Sequence, residues 1–181
     1  MCFQERKSPR LKKYDYNTPG YYFVTVCTHE KKKILCEIVD NKSNSIVGEG
    51  LRALPKVNLT PIGEIVKNSI EWINSNYADI SVDKYVVMPN HIHLILIKHQ
   101  TKIISENSSV GGHGDPPLRN TGIDDVIGRL KSYTTHLYKK TMWQRSFHDH
   151  IIRNEGDYLK IWEYIHTNPA QWKNDCFYLE Y

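Results

Sequence analysis

The chain has 181 residues, 40% of them hydrophobic and 24% charged, with a formal net charge of +4. That is enough for one domain with a real core, and no run reaches the ~18 apolar residues that a membrane-spanning helix needs. Cys2, Cys27, Cys36 and Cys176 form no C-x-x-C pair, which argues against a zinc ribbon or a thioredoxin-like redox site and for free thiols in a reducing cytosol.

The charge is uneven. Residues 1–33 carry eight Lys/Arg against three acids, a net +5, which leaves −1 for the rest of the chain. A basic end of this kind suits a polyanion, most often nucleic acid, although a solvated tail gives the same count. The segment MCFQERKSPRLKK contains no apolar stretch able to act as a signal peptide, so a cytoplasmic protein is expected.

Residues 1–20 read as a basic arm ending in a turn at Pro19-Gly20, and 21–170 as the folded domain, followed by a tail over 171–181. YYFVTVCT (21–28) alternates and is rich in aromatic and β-branched residues, so it reads as a strand. Residues 37–58 are mixed and read as loop. Thr60-Pro61 opens a helix, with Thr as N-cap and Pro at the first helical position. Ile62, Ile65, Val66, Ser69, Ile70 and Ile73 follow with helical spacing, and Asn74 to Asn76 end it.

VDKYVVM and HIHLILI are two apolar runs separated by Pro89-Asn90, which predicts a strand, a tight turn and a second strand. Residues 101–120 are rich in Gly, Ser and Pro and read as a mobile loop; GGHG within them is weak as a phosphate loop because no strand leads into it. Thr121 is the expected cap of a second helix, with Asp124 at the third position and Ile123, Val126, Ile127, Leu130, Thr134 and Leu137 on its apolar face. SFHDHIIR (146–153) reads as a short strand. Asn154 then caps a third helix, with Asp157 at its third position, that runs to Asn168 and is stopped by Pro169. Adjacent strands with interspersed helices predict an α+β sandwich with a mainly antiparallel sheet, ferredoxin-like in kind.

The chemistry concentrates in 91 HIH 93. Alternate strand residues share a face, so His91 and His93 point the same way, ~6.6 Å apart along the strand, and can converge on one metal ion. Two incidental histidines are the bland reading. His148 and His150 form a second H-x-H, and all four together would make a structural zinc site, against the usual reliance on cysteine there. The third helix offers better company. Its buried stripe is Tyr158, Ile161, Trp162 and Ile165; Tyr164 falls roughly 110° from the centre of that stripe, and Asn168 shares its face four residues on.

At this point the sequence resembles a known family. MPNHIHLILI looks like the HUH signature of single-strand DNA transposases, and YIHTNP resembles the helix that carries their tyrosine nucleophile. WQRSFHDHIIRN and GYYFVTVCTHEKKKIL are similar to blocks of the REP-associated tyrosine transposases, so the likeness runs over about residues 8–170. The resemblance implies His91 and His93 as metal ligands, Tyr164 as nucleophile, and Mg²⁺ or Mn²⁺ as cofactor. Insertion-sequence relatives complete the metal site with a glutamine four residues after the tyrosine; here Asn168 stands there, the same ligand type on a stem one carbon shorter. The implied activity is cleavage and rejoining of single-stranded DNA near hairpin-forming repeats, through a 5′-phosphotyrosine intermediate, by a monomer or a homodimer.

Arg10, Lys12 and Lys13 in the arm, and Arg129, Lys131, Lys139, Lys140 and Arg145 further on, are the expected DNA-backbone contacts. Tyr133 and Tyr138 are rival nucleophiles; Tyr133 also reads as core or as a base-stacking platform, and Trp143 as core rather than a DNA wedge. The competing functions are a non-catalytic binder of DNA hairpins or structured RNA, a replication initiator or relaxase, and a hydrolytic nuclease.

Overall fold

The computed structural model describes residues 14–39, 55–100 and 121–180. Four strands form the main sheet: β1 (Gly20–Cys27), β4 (Ile80–Met88), β5 (His91–Lys98) and β6 (His148–Ile152). Their order across the sheet is β4-β5-β1-β6, and every neighbouring pair is antiparallel. Helices α1 (Pro61–Asn76) and α2 (Ile123–Tyr138) connect them so that the chain runs strand, helix, strand, strand, helix, strand. This is the expected ferredoxin-like α+β sandwich, with a third helix, α3 (Glu155–Thr167), following the last strand.

The pleat divides the apolar residues between two layers. Tyr22, Val24 and Val26 of β1 and Ile92, Leu94 and Leu96 of β5 are buried with Val66, Ile70 and Ile73 of α1 and Val126, Ile127 and Leu130 of α2. Phe23, Ile95 and Ile152 of the opposite face are buried with Ile161 and Ile165 of α3. Each such aliphatic side chain contributes about 1.5–3 kcal/mol by leaving water. The split fixes the register: a slip of one residue in β5 would exchange both sets and turn His91 and His93 toward α1 and α2.

Caps fall largely where expected. Thr60 accepts from the Gly63 amide at 3.1 Å, and Asn154 accepts from the Asp157 amide at 2.9 Å. The start of α2 differs by one residue. Thr121 is held outside the helix, its amide donating to Asp79 and its carbonyl accepting from Lys98, so Gly122 is the N-cap. Asp125, not Asp124, then takes the third position and accepts from the Gly122 amide at 3.2 Å.

Two more corrections concern elements. Within 37–58, read as loop, β2 (Cys36–Val39) and β3 (Lys56–Leu59) pair as a small antiparallel ribbon; four residues each are too few to show alternation against their polar neighbours. Pro169 ends α3, but the chain continues as a 3-10 helix over Asn168–Asn174. The end of the expected arm packs rather than trails: Tyr14 and Tyr16 lie against the larger core, and Tyr16 donates to Asp149 at 2.8 Å. The remainder of that arm and the 101–120 loop lie outside the described residues.

Candidate active site

His91 and His93 begin β5 immediately after the Pro89-Asn90 turn and face α3. Neighbouring strands hold them from both sides: His91 lies opposite Cys27 and Met88, and His93 opposite Thr25 and Val86. Their exposures are 0% and 1%, and the ring centroids are 4.5 Å apart. Asn90 Oδ1 lies 2.8 Å from His91 Nδ1. A carboxamide oxygen only accepts, so Nδ1 carries the proton and the lone pair sits on Nε2. That Nε2 is buried with no hydrogen-bond partner. His93 Nδ1 pairs with Thr25 Oγ1 at 2.8 Å, leaving Nε2 3.3 Å from the Tyr164 hydroxyl.

Burial, reinforced by the positive charge of Lys31, pushes the His91 pKa down to about 3. Burial and then the neighbouring His91 lower that of His93. Both imidazoles are therefore neutral at physiological pH, the state a metal ligand requires.

Asn154 starts α3, and Ile161 and Ile165 seat it on Phe23, Ile95 and Ile152. Two stripe residues, Tyr158 and Trp162, are only partly buried, because they lie at the edge of this small core. That seating places Tyr164 beside β5, its ring 5.2 Å from His93 and 6.2 Å from Phe23. Asn168, at the C-cap, is 1% exposed; its Nδ2 is satisfied and its Oδ1 is buried without a partner.

The satisfying group is Asp175, just beyond the 3-10 helix. Its Oδ2 accepts from Tyr164 Oη at 3.0 Å and from Asn168 Nδ2 at 2.8 Å, while Oδ1 accepts from the Phe177 amide at 2.7 Å. Ligand atoms of His91, His93 and Asp175 all lie within 4.8 Å of one another. Burial, followed by the Asp175 charge, raises the Tyr164 pKa far above that of a free phenol. Phe177 and Trp172 close the site over His91, with ring centroids 4.7 and 6.0 Å away.

Two buried lone pairs, on His91 Nε2 and Asn168 Oδ1, lack partners, and Asn168 is tied through Nδ2 to Asp175, which groups with both histidines. Buried acceptors are rarely left so, and a divalent cation is a group that satisfies both. Two neutral imidazoles, a carboxamide oxygen and a carboxylate are a donor set compatible with Mg²⁺ or Mn²⁺.

No family model matches the chain. An uncharacterized protein of Haemophilus influenzae is 30% identical over 191 residues, covering 97% of this chain and 94% of that one. The chain belongs to the same family as that protein. Among solved structures, a REP-associated tyrosine transposase bound to a REP hairpin aligns with a TM-score of 0.58 at 19% identity, over 90% of this chain and 74% of that one. A provisionally named transposase from Deinococcus radiodurans gives 0.45 at 12% identity. The fold is that of the REP-associated tyrosine transposase.

On this fold the sequence-derived residues separate into groups. His91, His93, Tyr164 and Asn168 come together. His148 and His150 do not join them: His148 is exposed, and His150 pairs with Asp157 at 2.8 Å. Tyr133 is 57% exposed on α2, across the sheet from the site, and Tyr138 packs partly against the larger core. Trp143 is core, its indole donating to Thr134 at 2.8 Å.

Of the expected DNA contacts, Arg10, Lys12 and Lys13 lie outside the described residues. Arg129, Lys139, Lys140 and Arg145 are exposed. Lys131 is not open in the same way: its ammonium donates to the carbonyls of Gln144 and Arg145. Asp175 falls in the segment that the sequence reads as a tail, with no role assigned to it. The one signal available was that it is the sole acid between Glu163 and Glu180.

Proposed function

We propose that the chain is a metal-dependent single-strand DNA transposase that cleaves and rejoins strands near hairpin-forming repeats, with Tyr164 as nucleophile. The observation that carries the reading is the grouping of Tyr164 with two unpartnered ligand atoms, His91 Nε2 and Asn168 Oδ1. The solved relative, a transposase bound to a hairpin, supports the choice of substrate.

In this reading His91, His93 and Asn168 hold the ion, with Asp175 in reach as a further ligand. A bound Mg²⁺ or Mn²⁺ would supply Lewis-acid polarisation of the scissile phosphate and favour the phenolate. Tyr164 Oη attacks phosphorus; the new bond is to the phenolic oxygen, and the bond broken is to the 3′-oxygen, which leaves and is protonated by water. Asp175 Oδ2, already accepting from Tyr164 at 3.0 Å, is placed to receive the phenolic proton. The 5′-phosphotyrosine keeps a phosphodiester whose leaving group is a phenolate, so a 3′-hydroxyl can later reverse the step and rejoin strands without ATP. Both histidines are buried, and the rings of Trp172 and Phe177 lie beside His91.

Incubation with a labelled hairpin-bearing single strand and Mn²⁺ tests this. The wild type should form a denaturation-resistant adduct, and His91→Ala with His93→Ala should not. Cleavage without an adduct would indicate hydrolysis, and hairpin binding without cleavage would indicate the non-catalytic alternative.

A further inference from the structure

We infer that Lys31 is the phosphate-binding cation of this site, contacting a non-bridging oxygen of the strand held there; the inference rests on the strand-cleavage reading above. The first observation is backbone conformation. Glu30 and Lys31 have φ of +56° and +52°, two consecutive non-glycine residues in the left-handed region. Such strain persists only where the surroundings over-determine it, and it concentrates at working sites.

Here the surroundings do so. Thr28, just before the strained pair, donates through its amide to Asn90 O at 2.9 Å and through Oγ1 to Lys32 O at 2.8 Å. The Lys31 amide returns to Thr28 O at 3.1 Å, and the His29 amide donates to Met142 O at 2.8 Å. The turn is thus clamped to Asn90, the residue that fixes the tautomer of His91.

The second observation is where this turn aims its lysine. Lys31 Nζ lies 5.6 Å from the Phe177 ring centroid, and that ring covers His91 at 4.7 Å. The lysine therefore stands at the rim of the site, one aromatic ring away from the candidate ligands.

The third observation is charge. Glu30, the neighbouring acid, is committed to Lys32 at 2.8 Å. Among the described residues no carboxylate pairs with Lys31. A lysine held on a strained turn, with no carboxylate partner among the described residues, beside a site for a phosphodiester monoanion has the chemistry of a phosphate clamp: a compact charge with three donors. Because it meets the phosphate directly, it would stabilise charge that grows on the non-bridging oxygens as Tyr164 attacks.

Two measurements on Lys31→Met and Lys31→Arg test the assignment. Single-turnover cleavage of a hairpin-bearing strand in Mn²⁺ should slow about 10²–10³-fold in Lys31→Met, the size seen when one transition-state donor is removed, with substantial recovery in Lys31→Arg. A methylphosphonate at the scissile position, which removes one anionic oxygen, should slow the wild type much more than Lys31→Met. Separately, binding of the same strand to uncleaving Tyr164→Phe backgrounds should show a salt slope shallower by about one in Lys31→Met.

Wild-type cleavage with an unchanged Lys31→Met rate, an equal phosphonate penalty in both proteins, or an unchanged salt slope would overturn the assignment. If the wild type never cleaves but the salt slope still falls by one, Lys31 binds phosphate and it is the transposase reading that fails.

Discussion

One hydrogen bond sets the tautomer of His91, the proposed ligand. The Asn90 carboxamide oxygen fixes the imidazole proton on Nδ1, and Asn90 Nδ2 is itself anchored to the Phe177 carbonyl at 2.8 Å. Asn90→Ala should therefore lower Mn²⁺ affinity about 10–100-fold, the usual cost of losing such a support, as read by Mn²⁺ electron paramagnetic resonance. Unchanged affinity would mean that His91 is oriented by packing alone. The same burial makes a statement about acid. Folded His91 titrates near 3 and an unfolded histidine near ~6.5. Its folded pKa is depressed, so the unfolded state binds more protons between those values. The metal-free protein should keep full stability above about pH 6.5 and lose it progressively as pH falls toward 3; urea midpoints at several pH values check this. His91→Gln should flatten that part of the profile.

Helix α3 and strand β5 are the elements that make the site, and both were legible in the sequence. β5 was legible because its apolar run is bounded by Pro89-Asn90, and α3 because Asn154, Asp157 and the Tyr158–Ile165 stripe agree on one start and one buried face. From those two elements the pairing of Tyr164 with the histidines could be anticipated. The ribbon of β2 and β3 could not, since neither strand is long enough to carry a period. Nor could Asp175, which reaches the site through a 3-10 helix after a proline, where no periodicity points a side chain anywhere. The start of α2 moved by one residue because a tertiary contact, Thr121 with Asp79 and Lys98, overrides a local capping preference. Asn154→Ala should cost about 0.5–2 kcal/mol in urea unfolding. Because α3 carries Tyr164, it should also slow cleavage, whereas Thr60→Ala, capping α1 on the other side of the sheet, should reduce stability with much less effect on cleavage.

Across the whole molecule the sheet separates two chemistries. One face carries α3, the histidines and Asp175; the other carries α1, α2 and the larger core. Basic residues collect at the end of the sheet where β1 stops and β5 starts: Lys31, Lys32 and Lys33 follow β1, and Lys140 lies beside His29 and Lys32. With the +5 of residues 1–33, this predicts nucleic-acid affinity that falls steeply between 50 and 200 mM salt, and the proposed function adds a preference for a hairpin-bearing single strand over a blunt duplex. Fluorescence anisotropy at several salt concentrations measures it, and equal affinity for the blunt duplex at physiological salt would contradict it.

In the proposed reaction Tyr164 forms the covalent bond to DNA. The decisive measurement is peptide mapping of the adduct trapped with Mn²⁺ and a hairpin-bearing strand, alongside Tyr164→Phe, Tyr133→Phe and Tyr138→Phe. Removing only the hydroxyl of Tyr164 keeps its ring against Phe23 and His93, so fold and DNA affinity should stay close to wild type while adduct and cleavage both vanish. The other two variants should retain both. A nucleotide mapped to Tyr164 is the predicted result; a nucleotide on Tyr133 or Tyr138, or an adduct that survives Tyr164→Phe, would contradict the account.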